Sequence, residues 1–214
     1  MVLLYIAQRG TDANKILAAI RNTHLCDKHH VNESVLLIDS NDKSQIAVIN
    51  SFENMDYAKL FRNELIETLK VTCCCGEDCA CGEACACASE EKSAPCPCNC
   101  TNNASMVLFN KVQSCSNFTE REKATLLVFN EAEDFNKFNH VYNGSTDLFK
   151  KHRVLSRIVC SLPENVNFVL CVFTFGNLEE CIEFSDDPLF FERMKQCCVM
   201  DSTFCNKVVM ENVN

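Results

Sequence analysis

Ten of the chain's eighteen cysteines stand in one stretch, at Cys73, Cys74, Cys75, Cys79, Cys81, Cys85, Cys87, Cys96, Cys98 and Cys100. Thiolates are soft anions that attack electrophiles, pair as disulfides, or ligate soft cations. Here they recur as C-x-C, and "CGEDCA" is followed at once by "CGEACA". The residues between them are small: Gly76, Gly82, Ala80, Ala84 and Ala86. Small side chains let a backbone curl tightly enough to bring several sulfurs to one ion. The segment holds no sizeable apolar side chain between Val71 and Asn103, so it cannot build a core of its own.

Three chemistries compete for these thiols. A disulfide framework fits poorly, because the N-terminus "MVLLYIAQRG" reads as a first strand rather than a secretory signal, and CCC leaves few partners at sound geometry. Iron–sulfur ligation usually uses C-x2-C runs, which this segment lacks. An all-sulfur ligand set favours Zn(II) or Cu(I), and ten thiolates exceed the four that one tetrahedral zinc takes, so several ions per chain are expected. The segment resembles metallothioneins in its density of C-x-C and C-C over residues 73–100. It departs from them in having a single lysine, Lys92.

The flanking sequence reads as ordinary globular protein, and it repeats. "LLYIAQRGTDANK" (3–15) matches "LLVFNEAEDFNK" (126–137), and "IETLKVTCC" (66–74) matches "FERMKQCC" (191–198), at an offset of about 122–124 residues. In the first copy Val2–Ile6 reads as a strand, with Asp12 capping a helix after it. Val35–Ile38 and Gln45–Ile49 read as a hairpin around the turn-rich "DSNDKS". Asn54 caps a helix with Tyr57, Phe61, Leu65 and Leu69 on one face, and Met106–Phe109 supplies a last strand. The second copy follows suit: strand 125–129, helix 134–152 with a weak point at Asn143–Gly144, strands 155–160 and 168–173, helices capped by Asn177 and by Asp187 before Pro188, and strand 206–210. The expected class is α+β. Two βαββαβ ferredoxin-like repeats pack sheet to sheet as an intrachain pseudo-dimer. The first repeat spans 1–112 and is interrupted by the Cys-rich insert 71–104; the linker and second repeat span 113–214.

"RIVCSLPENVNFVLCVFTFGNLEECIEFSDDPLFFERMKQCCV" resembles the dimeric α/β-barrel superfamily, especially its antibiotic-biosynthesis-monooxygenase-like members. The likeness lies in a strand, a Pro-containing turn, a strand ending in a phrase like "FGNLEE", then "DPLF". It covers much of the second copy and, faintly, the first, and carries no catalytic signature. It implies a pseudo-dimer made within one chain, its sheets packed face to face. Heavy-metal-transport domains share the order of elements but place C-x-x-C after the first strand, where this chain has "QRGTDA" and "NEAEDF".

Other candidates have plainer readings. Cys197–Cys198 align with Cys73–Cys74 and are expected to close a helix as buried small residues. Cys160, Cys171 and Cys181 fall on core positions, while Cys26, Cys115 and Cys205 are undecided. "HLCDKHH" gathers His24, Cys26, His29 and His30; a cap role after the first helix is expected, with His30 aligned to His152. His140 and Tyr142 lie on the second copy's long helix, where relatives of the barrel superfamily keep a pocket. Asp186–Asp187 reads as a cap rather than a carboxylate dyad.

The net charge of −9 with no basic run speaks against nucleic acid and against anionic membrane surfaces. No apolar run reaches the ~18 residues of a membrane span. The expected location is cytoplasmic, with mitochondrial as the alternative. The first expectation is a non-enzymatic protein that stores, buffers or delivers metal ions through a thiolate cluster. The alternatives are a monooxygenase-like enzyme or small-molecule binder with an accessory loop, and a structural subunit of a homo-oligomer or larger assembly.

Overall fold

A computed structural model describes residues 1–9, 18, 23–71, 105–114, 122–200 and 206–213. The first copy comprises β1 (Val2–Arg9), α1 (Thr23–Lys28), β2 (Val31–Asp39), β3 (Gln45–Phe52), α2 (Met55–Val71) and β4 (Ser105–Ser114). The second comprises β5 (Ala124–Glu131), α3 (Phe135–Asn143), α4 (Thr146–Lys151), β6 (Ser156–Ser161), β7 (Phe168–Phe175), α5 (Leu178–Ser185), α6 (Pro188–Cys197) and β8 (Asn206–Val213).

Short polar side chains set the boundaries. Asn54 Oδ1 accepts from Tyr57 N at 3.0 Å, Asp134 Oδ1 from Lys137 N at 2.9 Å, and Asn177 Oδ1 from Glu180 N at 2.8 Å. Each satisfies an N–H that the first helical turn leaves unpaired. Asp187 Oδ1 takes Leu189 N at 2.7 Å, with Pro188 filling a position that needs no donor. The helix expected over 134–152 breaks at Gly144 into α3 and α4. In the β2–β3 turn Asp39 Oδ1 accepts from Asn41 N and Asp42 N, at 2.8 and 3.0 Å.

All eight strands are antiparallel to their neighbours and close into one barrel, in the order β1-β3-β2-β8-β5-β7-β6-β4. The expectation of two sheets packed on each other is corrected in one respect: the sheets also join at their edges. β8 pairs with β2 through Leu36↔Val213 to Asp39↔Met210, and β4 pairs with β6 through Asn110↔Ser161 to Ser114↔Ile158. Edge strands would otherwise leave a row of unpaired backbone groups, and closure satisfies them within one chain.

Alternation along each strand sorts the core into three layers. Leu3, Leu37, Ile49, Phe109, Leu127, Leu170, Val172 and Met210 fill the barrel. Val48 and Phe52 lie under α2 of the first copy, clustered with its own Phe61 and Leu65. Val169, Cys171 and Phe173, the opposite face of β7, lie under the second copy's helices with Phe138, Tyr142, Phe149 and Phe184. A fully buried Phe or Leu contributes about 1.5–3 kcal/mol, so this third layer anchors the helices that shape the cavity described next.

Candidate functional site

The second copy's helix layer does not seal onto the sheet. Between β5 and β7 on one side and α3, α4 and α6 on the other lies a cavity of about 30 Å³. Its walls are aromatic and aliphatic: Phe138, Tyr142, Phe149, Phe173 and Phe190, with Val128 and Met194. Phe173 stands 5.7 Å from Phe149, 6.2 Å from Tyr142 and 6.3 Å from Phe190, ring centre to ring centre. A second chamber of about 280 Å³ adjoins it, lined by Ser185, Phe191, Met200 and Lys207 and by the shared Val128, Phe190 and Met194.

Three polar side chains interrupt this apolar wall: Ser145, whose Oγ donates to Val141 O at 2.8 Å, and then Asn130 and Arg193. Asn130 follows Val128 by two positions on β5, so its side chain shares the face that Leu126 and Val128 turn to the helices. It is fully buried, its Nδ2 donates to Val128 O at a long 3.4 Å, and its Oδ1 has no partner among the described residues. Arg193 on α6 also lines the cavity, and its buried Nε has no partner among the described residues. An unsatisfied buried polar atom costs about 1–3 kcal/mol. Both lie on the wall of this one cavity.

Sequence reasoning missed both residues. The signal was present for Asn130: a lone amide in the apolar alternation of "TLLVFNE". The first copy has a parallel case in Asn50, fully buried on β3, whose side-chain atoms have no partner among the described residues. Asn50 pairs with Leu4 as Phe173 pairs with Leu126, so it occupies Phe173's place in the other half.

The histidines hold the scaffold instead of facing the cavity. His152 Nε2 lies 2.7 Å from Asp187 Oδ2, which also accepts from Lys151 Nζ at 2.6 Å. In the first copy His29 Nε2 lies 2.7 Å from Glu64 Oε2, which accepts from Lys28 Nζ at 2.7 Å. The expected alignment of His30 with His152 is therefore off by one residue; His29 is the counterpart. His30 and Arg153 instead share the turn after the helix, with φ of 53° and 52°. Hydrogen bonds first from the lysine and then from the histidine hold both carboxyls below the usual carboxylate range. His140 is exposed and lines neither chamber.

Cys160, Cys171 and Cys181 are buried as expected, and burial pushes the Cys160 and Cys181 thiols up to about 12. Cys197 and Cys198 are buried too, but they are more than filler. Their Sγ atoms face each other at 3.6 Å, and Cys197 lines the cavity. Cys26 is half-buried against the first copy's core, and the "HLCDKHH" cluster forms no metal site.

The expected ligands Cys73, Cys74, Cys75, Cys79, Cys81, Cys85, Cys87, Cys96, Cys98 and Cys100 lie outside the described residues. Among the described residues no group of three or more His, Cys, Asp or Glu side chains is placed to hold a metal ion, and no helix is long and apolar enough to cross a membrane.

No protein-family model and no curated protein matches the sequence. Solved structures do share the fold. A ferredoxin-fold protein from Listeria monocytogenes, related to antibiotic biosynthesis monooxygenases, superposes with a TM-score of 0.55 at 13% identity, over 100% of this chain and 95% of its own. A heme-degrading enzyme, also from Listeria monocytogenes, gives 0.54 at 10%, over 99% of both chains. An anthrone oxidase-like protein gives 0.51 at 8%, over 100% of this chain and 91% of its own. The fold is thus the ferredoxin-like barrel of the monooxygenase-like proteins. These likenesses correct the expectation of a non-enzymatic zinc or copper store: the scaffold is shared with monooxygenase-like and heme-degrading proteins. The metallothionein, zinc, copper and thiolate-cluster readings are set aside with it.

Proposed function

We propose that the chain is a monooxygenase-like enzyme acting on small hydroxylated aromatic molecules in the second copy's cavity. One observation carries this reading: Asn130 Oδ1 has no partner among the described residues, on a wall of five aromatic rings. A flat ring stacks on Phe, while a phenolic or enolic O–H donates to the amide oxygen. The Arg193 guanidinium on the same cavity wall favours the ring anion over the neutral phenol, the proton passing to water, in an enclosure where charges are weakly screened.

The two chambers set the size of the guest. The inner one has room for little more than a ring substituent, and the outer one takes a molecule of one or two rings. Only Val128, Phe190 and Met194 stand on both, so rotation of Met194 admits the ring toward Asn130. Oxidation of an activated ring CH2 to a ketone balances with dioxygen alone: one oxygen atom enters the product and the other leaves as water. The substrate supplies all the electrons. An anthrone oxidase-like neighbour of the same fold supports this direction.

Haem, the group implied by the heme-degrading neighbour, fits these residues poorly. Among the described residues no histidine lines either chamber, and the inner chamber is far smaller than a porphyrin.

Oxygen uptake tests the reading. Protein incubated with hydroxynaphthalenes and their dihydro analogues consumes dioxygen above the protein-free rate, and Asn130→Leu abolishes the difference. Uptake unchanged by that substitution contradicts the proposal.

A further inference from the structure

Cys197 closes α6, and Cys198 follows it in extended conformation, with φ −119° and ψ 152°. The pair is fixed in place by its neighbours. Glu133 N donates to Cys197 O at 3.1 Å, and Val199 N donates to Glu131 O at 2.7 Å. The two thiols are thereby held 3.6 Å apart, at the end of the segment where β5 runs into α3. Only 3% of Cys197 is exposed, yet it is a wall of the inner cavity, and that cavity's room suits a molecule about the size of hydrogen peroxide. The proposed chemistry at Asn130 does not use this dithiol.

We propose that Cys197 and Cys198 form a peroxide-reactive vicinal dithiol, in which Cys197 is oxidised by a small hydroperoxide entering the cavity and Cys198 resolves it to a disulfide. The Cys197 thiolate sulfur attacks one peroxide oxygen and the O–O bond breaks. The departing alkoxide or hydroxide takes up the proton that the thiol released, leaving a sulfenic acid on Cys197. The Cys198 sulfur then attacks that sulfur, an S–S bond forms, and the hydroxyl leaves with the Cys198 proton as water. Two thiols lose two electrons and two protons, and the hydroperoxide becomes an alcohol and water. Adjacent Cα atoms lie about 3.8 Å apart, closer than the ~4.4 Å at which ordinary disulfides begin, so a small thiol in excess reopens the strained ring.

The chemistry selects one cysteine. The Cys198 hydrogen bond, aided by the Lys137 ammonium, holds the Cys197 thiol below its ordinary value against the effect of burial. Cys171 lines the same cavity, but burial holds its thiol well above its ordinary value, so it stays protonated and inert. It is an internal control, sharing the cavity but lacking the partner.

The test uses the full, reduced chain. Equimolar hydrogen peroxide is added, and the protein is then denatured, alkylated and digested after Lys195 and before Asp201, which releases residues 196–200 free of Cys205. The expected result is a peptide lighter by two hydrogens and closed to alkylation, formed at least about tenfold faster than any change at Cys171. In Cys198→Ser the reaction stops at a sulfenic acid that dimedone labels at Cys197. A 196–200 peptide that stays a dithiol, or that oxidises no faster than Cys171, overturns the proposal. Should Cys198→Ser fail to fold, the wild-type peptide decides alone.

Discussion

His152 Nε2 stands 2.7 Å from Asp187 Oδ2, and the same arrangement recurs in the other half as His29 Nε2 at 2.7 Å from Glu64 Oε2. In both, the histidine lies 35 residues before its carboxylate and the adjoining lysine 36. Each ring also meets a phenylalanine edge to face: His152 on Phe184 at 5.5 Å, His29 on Phe61 at 6.0 Å. Those rings in turn sit 5.4 Å from Phe175 and from Phe52. The cluster ties the turn after the first helix to the second helical segment of each half, so it fixes the helix layer over the sheet.

The first prediction concerns acid. Asp187 and Glu64 bind their protons more weakly in the fold than in the unfolded chain, because lysine and histidine hydrogen bonds favour the carboxylate. A lowered carboxyl contributes stability that is full above the ordinary value of about 4 and is lost as pH falls through the folded value. Denaturant midpoints measured at descending pH should fall below pH ~4. Asp187→Asn should flatten that acid limb more than Glu64→Gln, because the Asp187 side chain is 6% exposed and that of Glu64 37%.

At neutral pH the same contrast appears as lost stability. Asp187 holds Lys151, His152 and the Leu189 amide at once, so Asp187→Asn should cost about 1–3 kcal/mol in denaturant unfolding. Phe184→Ala should cost about 3–5 kcal/mol, since its ring is fully buried against Phe173, Phe175 and Phe190. A loss under about 1 kcal/mol for Phe184→Ala would show that the layer collapses around the gap.

Much of this scaffold was legible because local chemistry and tertiary demand agree. Asn54, Asn177 and the Asp187–Pro188 pair are caps by residue type and are caps in the fold. The alternation of β7 predicted two buried faces, and Leu170 and Val172 do fill the barrel while Cys171 and Phe173 face the helices. Edge closure was not legible, because the β2–β8 and β4–β6 pairings join segments far apart in sequence with no local mark. The site was less legible still. Cysteine density drew the reading to residues outside the described fold, whereas the cavity is signalled by Asn130, one amide among apolar neighbours, and by Arg193, one charge on a helix rich in polar residues. The off-by-one alignment of His30 has a physical origin as well: either histidine can follow a helix, and tertiary contacts with Glu64 and Phe61 select His29.

Met194 divides the two chambers together with Phe190 and Val128. Met194→Ala should join them, tighten binding of two-ring phenols about tenfold relative to one-ring phenols, and cost about 2 kcal/mol of stability. Calorimetric titration of the matched pair of ligands reads the ratio directly. An unchanged ratio would mean that Met194 is no barrier.

The account rests on Asn130 being a ligand-binding group rather than a packing defect. The most direct measurement is calorimetric titration of a hydroxynaphthalene into the wild-type chain and into Asn130→Leu, with unfolding free energies measured on both. Relief of a buried, unpartnered amide predicts that Asn130→Leu is as stable as the wild type or more so, while its affinity for the phenol falls at least about tenfold. Equal affinity in the two proteins, or no binding to the wild type, would contradict it.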